Sequence, residues 1–201
     1  MISLLLLVTT LLTFATDSST PPALKVETQL LGGKYCAGDD EVATHLMRLR
    51  VRYTNTSAKP IILYKGSNVV TTVMVSKSAA DAVARRHELS LPLTTYQASG
   101  RPLSETTRLD NRFVILRKGA SFETTVEVAV PFAKKGEAPA GTVAAGEHFL
   151  QVQLATWPES AELAETLRKR WRLRGYLWSG ITESGPMRFK IDNQVQTINC
   201  H

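Results

Sequence analysis

The sequence predicts an all-β fold: an antiparallel two-sheet sandwich of about eight short strands with one inserted helix. Three observations carry this. Apolar residues recur at every second position over much of the chain, and clusters of Gly, Pro, Asn and Ser interrupt these runs at short intervals. Only one segment, near residues 159–173, has the spacing of a helix. With 201 residues, 43% of them hydrophobic and 21% charged, the chain can bury a substantial core as one domain and is too apolar for extended disorder.

The first fifteen residues, MISLLLLVTTLLTFA, carry no charged side chain and are followed by the polar run Thr16-Asp17-Ser18-Ser19-Thr20-Pro21-Pro22. This matches the apolar part and exit of a secretory signal. Thr13 and Ala15 are small residues placed for cleavage after Ala15. The expected organisation is therefore a signal peptide at 1–15, a polar linker at 16–22 and a single β-sandwich domain at 23–201. No Lys or Arg precedes Leu4, so the α-amino group alone supplies the positive end, and an uncleaved anchor is the alternative. No internal stretch approaches the roughly 20 apolar residues of a membrane span. The expected location is secreted or periplasmic.

Export sets the reading of the two cysteines. Thiols outside the cytoplasm are oxidised, and an even count favours pairing, so Cys36 and Cys200 are expected to form a disulfide tying the last residues to the first strands. Two unrelated free thiols are the alternative.

Residues 45–53 place Met47, Leu49, Val51 and Tyr53 on one face and Arg48, Arg50 and Arg52 on the other, the pattern of a half-buried antiparallel strand. Asn55-Thr56-Ser57-Ala58-Lys59-Pro60 turns the chain into a second strand, Ile61-Ile62-Leu63-Tyr64, and a β-branched run follows at 69–75. Phe122, Thr124, Val126, Val128 and Val130 alternate with polar residues, and residues 149–157 do the same. Further strands are expected at 23–31, 89–96, 113–116 and 187–191, with Pro92 confining its segment to a sheet edge.

The helical exception begins at Pro158. Leu163, Ala164, Leu167 and Trp171 recur at helical spacing, Glu159, Glu162 and Glu165 precede Arg168, Lys169 and Arg170 in the order the helix dipole favours, and Gly175 ends the element. Two connections, 97–111 and 133–146, are long and polar, as binding loops tend to be.

Tyr53-Thr54-Asn55-Thr56 before Lys59-Pro60-Ile61, the Arg117-Lys118-Gly119 turn into an alternating strand, and Gly146-Glu147-His148-Phe149 into another resemble bacterial secreted immunoglobulin-like modules. The resemblance spans roughly residues 23–191. It implies an immunoglobulin-like sandwich serving adhesion, chaperone, inhibitor or accessory roles, and it carries over no functional residue. The Cys-Trp-Cys pattern of antibody domains is absent, and the helix is an addition.

The strongest charge feature is Arg168-Lys169-Arg170-Trp171-Arg172-Leu173-Arg174. Arg168, Lys169, Arg170, Arg172 and Arg174 form a candidate anion-binding set; the plainer reading is a helix end with solvated cations around a buried Trp171. Asp39-Asp40-Glu41 reads as a solvated loop lacking the twelve-residue calcium pattern. His45, His87, His148 and His201 lack metal-site spacing. Trp157, Trp171 and Trp178 are read as core rather than as a sugar platform. Asn55-Thr56-Ser57 fits a glycosylation acceptor formally, but turn chemistry accounts for it. No nucleophile elbow, zinc-protease motif or phosphate loop is present.

The expectation is an exported, non-catalytic interaction module needing no cofactor, which binds another exported or envelope protein through its two long loops or an edge strand. Binding of an anionic glycan or lipid surface by the basic helix end is the second reading, and a metal protein or enzyme of unrecognised type the third. Nucleic acid is not expected as a partner of an exported chain whose net charge of +6 is spread along its length.

Overall fold

The computed structural model describes residues 23–65, 69–93, 103–192 and 196–200. The expected signal and linker, His201 and the first part of the 97–111 connection lie outside them. In chain order the strands are β1 (Leu24–Cys36), β2 (Val42–Asn55), β3 (Ile61–Tyr64), β4 (Val69–Ser76), β5 (Leu89–Leu93), β6 (Phe113–Leu116), β7 (Ser121–Ala133), β8 (Gly146–Thr156), β9 (Tyr176–Leu177), β10 (Gly180–Glu183) and β11 (Met187–Ile191). Helix α1 (Ala79–Val83) follows β4, and α2 (Ala161–Trp171) follows β8. The fold is all-β with the expected helix between two late strands.

Two sheets face each other. One has the order β1-β2-β7, and the other β10-β8-β4-β5 with β11 also paired to β8. The alternation read from the sequence supplies their shared core. Met47, Leu49, Val51 and Tyr53 from β2 and Val126, Val128 and Val130 from β7 meet Val73, Val75, Leu150, Val152 and Leu154 from the opposite sheet. Pro92 lies in β5, the edge strand of its sheet, where a missing backbone donor does no harm.

The two-sheet expectation is incomplete, because a third sheet, β6-β3-β9, extends the first. β2 and β7 run antiparallel to Thr54↔Ser121, and the same two chain segments pair again at Ile61↔Leu116 as β3 and β6. The junction is held by Asn55, which is fully buried; its Nδ2 donates to the carbonyls of Lys59 and Leu116, each at 2.8 Å, and its Oδ1 accepts from Ser57. β9 then adds to β3 in parallel, so the architecture is not purely antiparallel. Gly175 permits this addition. Its φ is +154°, and a Cβ there would stand 2.9 Å from the Pro60 carbonyl oxygen.

All four residues of β3 are buried because it has a core on each face. Ile61 and Leu63 join the main core, whereas Ile62 and Tyr64 pack with Phe113, Leu167, Trp171 and Leu177 beneath α2. Burying Leu167 and Trp171 contributes about 1.5–3 kcal/mol each. The helix starts later than Pro158: Ser160 is its N-cap, with Oγ accepting from Leu163 N at 3.0 Å. The single-helix expectation is corrected by α1, a short helix whose N-cap Ser78 Oγ accepts from Asp81 N and donates to the Asp81 carboxylate at 2.6 Å.

The disulfide joins Cys36 to Cys200, with Cα atoms 5.5 Å apart. Ile198 pairs beside β1 through Ile198 N to Tyr35 O and Ala37 N to Ile198 O, each 2.9 Å. Such a bond is consistent with an oxidising environment.

Candidate functional site

The five cations of the basic segment separate into unlike environments. Arg168 turns inward: Nε donates to Leu177 O at 3.1 Å, Nη2 donates to Ser179 Oγ at 2.6 Å, and the guanidinium lies 4.6 Å from the centre of the Tyr176 ring. Arg170 donates to the Glu105 carbonyl. Lys169, Arg172 and Arg174 are exposed, and between the last two Leu173 is 91% exposed. Trp171 is buried, as the plainer reading expected. The set is therefore not one patch: Arg168 fastens α2 to β9 and the segment after it, and the exposed Arg172 and Arg174 flank Leu173.

The inward turn of Arg168 places it in a groove of about 510 Å³ between the end of β8, α2 and β10, with Trp157, Ala161, Ala164, Ser179 and Ile181 among its walls. Trp157 departs from the core expectation. It is 49% exposed, whereas Trp171 and Trp178 are 5% exposed.

Among the described residues, His45, His87 and His148 do not gather into a metal cluster. His45 is 6% exposed and stacks on Tyr35; burial holds its pKa below the usual imidazole value, partly opposed by Asp192. His148 is 3% exposed, with Nδ1 3.2 Å from Glu88 Oε2 and Nε2 2.8 Å from Ala144 O. The Phe189 ring contacts both imidazoles. His87 Nδ1 lies 2.8 Å from Ser76 Oγ. Among the described residues no group of three or more His, Cys, Asp or Glu side chains is placed to hold a metal ion. Asp39 caps its own turn by accepting from Glu41 N and Val42 N, which lowers its carboxyl pKa. Asn55, buried with its amide nitrogen engaged, is structural rather than a glycan acceptor.

The 133–146 connection is tied down instead of projecting freely. Ala133 N donates to Val143 O and Val143 N to Pro131 O, Val143 is 1% exposed, and the Lys134 ammonium donates to the Asp39 carbonyl. Among the described residues, β7 is the last strand of its sheet. Asn55 N to Ala120 O and Lys134 N to Glu41 O set the phase of the β2–β7 ladder, so even-numbered β7 residues bond to β2 and odd-numbered ones direct their backbone groups away. Pro131 and Ala133 meet Val143 on that outer side. The outward groups of Ser121, Glu123, Thr125, Glu127 and Ala129 have no backbone partner among the described residues. β1, the opposite edge of the same sheet, is blunted: Val26 meets Ser184, Tyr35 meets Ile198, and a bulge lies between Leu30 and Gly32. Sequence alternation reveals β7 as a strand but not as an edge, because edge position depends on pairings distant in the chain.

No family model and no curated protein matches the chain. Among solved structures, it is similar to the Northeast Structural Genomics Consortium target SoR45 at 6% identity and a TM-score of 0.36, covering 89% of this chain and 93% of that one. It is also similar to β-glucosidase 3B from Thermotoga neapolitana, solved in complex with glucose, at 15% identity and a TM-score of 0.24, covering 84% of this chain but 17% of that one. At these scores the likenesses are loose, and they identify no family.

Proposed function

We propose that this protein is an exported, non-catalytic interaction module with an immunoglobulin-like β-sandwich that receives a strand from a partner protein along the outer edge of β7. The observation that carries the reading is the run of outward backbone groups from Ser121 to Ala129, on a strand rich in Thr and Val whose opposite edge is already paired. An incoming strand would satisfy these donors and acceptors at once, with specificity coming from side chains on the two faces. The 133–146 connection contributes less, since it is held against β7 and β2.

The test is Thr125→Pro. It removes an outward N–H while leaving the β2 ladder intact, as the native Pro131 does at an equivalent position. A defined envelope protein retained by the oxidised domain at moderate salt and lost with Thr125→Pro, with Glu127 amide exchange slowed in the complex, supports edge pairing. Equal retention by both forms sinks it.

A second reading rests on Leu173, which stands 91% exposed between Arg172 and Arg174, with Ile115 and Arg117 beside it. An apolar side chain flanked by cations suits an anionic envelope surface. This reading requires salt-sensitive binding to anionic vesicles that Leu173→Ser weakens.

A further inference from the structure

We propose that the groove beside α2 binds a carboxylate-bearing pyranose, an acidic saccharide unit, with the sugar ring on Trp157 and the carboxylate on Arg168. This site is separate from the β7 edge and does not depend on it.

Three features of the groove select that chemistry. The first is the indole. Trp157 follows β8 directly and is half exposed at the wall of a groove whose volume falls within the range of about 300–1,000 Å³ typical of ligand sites. The second is the cation. The Arg168 side chain is only 19% exposed and is held in place by Leu177 O, Ser179 Oγ and the Tyr176 ring. Among the described residues its remaining polar contact is to Glu165 at 3.3 Å, a carboxylate that is itself 60% exposed. The guanidinium has five N–H groups and these contacts use three, so donors remain for an incoming anion in a position already fixed. The third is space. The small residues Ala161, Ala164 and Gly180 line the same groove as the indole and the guanidinium and take up little of it.

The exposure of the walls separates a sugar from other anions. Ala161, Gly180 and Ile181 are exposed as well as Trp157, so a bound ring stays wet on one side. A pyranose suits this arrangement, because its C–H face covers the indole while its hydroxyls keep their water. An aromatic acid gains most of its affinity from full desolvation, which an open groove does not supply. A bare inorganic anion would make no use of Trp157.

The oxidised domain is titrated with oligogalacturonate, oligomannuronate and a neutral cello-oligosaccharide, followed by tryptophan fluorescence and by calorimetry. The expected result is saturable binding of at least one uronate, a fluorescence shift originating at Trp157, and affinity for the neutral sugar at least tenfold lower. Trp157→Ala should weaken uronate binding at least tenfold. Ala161→Asp should do the same through charge repulsion while leaving the melting temperature unchanged, because an acidic residue in the first turn suits the helix dipole. The proposal is overturned if neither uronate saturates, if the neutral sugar binds equally well, or if both variants bind uronate as the parent does.

Discussion

The His45 imidazole lies parallel to the Tyr35 ring, with 4.4 Å between centroids and 18° between planes, across a register pair of β1 and β2. His45 is 6% exposed, and its Nδ1 has no hydrogen-bond partner among the described residues. Tyr35 carries the contact onward: its hydroxyl donates to Lys190 O at 3.5 Å and accepts from Asp192 N at 3.3 Å. Burial lowers the His45 pKa from 6.5, with Asp192 pulling in the opposite direction. As pH falls below about 6.5 the unfolded chain takes up this proton before the folded one does, so stability present at neutral pH is lost as the pH drops toward the folded-state pKa. Urea unfolding at pH 7.5 and pH 5 should show this loss. His45→Phe, which keeps a ring against Tyr35, should lose less than the parent over the same interval; equal losses would place the acid sensitivity elsewhere.

Gly33 is required by the same imidazole. A Cβ on Gly33 would stand 2.6 Å from His45 Nε2 and 3.2 Å from the Leu46 carbonyl oxygen. Gly33→Ala should destabilise the fold by about 1–3 kcal/mol, the usual cost of overpacking. The double variant Gly33→Ala/His45→Ala should recover part of that loss relative to the sum of the single changes. Additive effects in a double-mutant cycle would show that the strain lies against Leu46 instead.

Strand parity made much of the main core legible and much of the remainder illegible. Met47, Leu49, Val51 and Tyr53 alternate because β2 faces one other sheet, so a local pattern reports a tertiary fact. The same parity, followed along β8, puts Leu150, Val152 and Leu154 inward and Trp157 on the opposite phase. Strand parity thus marks Trp157 as outside the core, against the usual burial of its residue type. α2 is legible from Leu163, Ala164, Leu167 and Trp171, but its start is set by the Ser160 cap, a stronger marker than Pro158. One turn of helix has no period, and only the Ser78–Asp81 spacing announces α1. The third sheet depends on Asn55 reaching Leu116 and Gly175 passing Pro60, contacts between distant residues that no local pattern encodes. The inward turn of Arg168 depends on Ser179 and Leu177 arriving beneath α2.

Asn55 gives a sharp test of that junction. Its Nδ2 faces two carbonyls and its Oδ1 faces Ser57 N and Oγ, all within 2.9 Å. Asn55→Ala leaves these groups short of partners in a buried site and should cost about 2–4 kcal/mol. Asn55→Asp preserves shape but turns an acceptor oxygen toward the Lys59 and Leu116 carbonyls, so at neutral pH it should be at least as harmful as Ala. Denaturant unfolding of the two variants decides the matter; an Asp variant close to the parent would show that the amide donor is dispensable.

The Cys36–Cys200 bond closes a loop spanning 164 positions. On the chain-entropy model, closure of that length is worth about 5 kcal/mol, less any native strain. Reduction, or Cys36→Ala with Cys200→Ala, should therefore lower stability by about 2–5 kcal/mol. The loss also has a location. Ile198 is held beside β1 by two backbone hydrogen bonds and is itself 49% exposed, so little apolar burial retains it once the covalent tie is gone. Amide exchange at Ala37 and Ile198 should accelerate in the reduced protein before exchange in β2 and β7 does. If those two amides lose protection only in step with the whole β1-β2-β7 sheet, the bond acts on the unfolded chain alone; early release of Ala37 and Ile198 would show that it also fastens the C-terminal strap to the edge of β1.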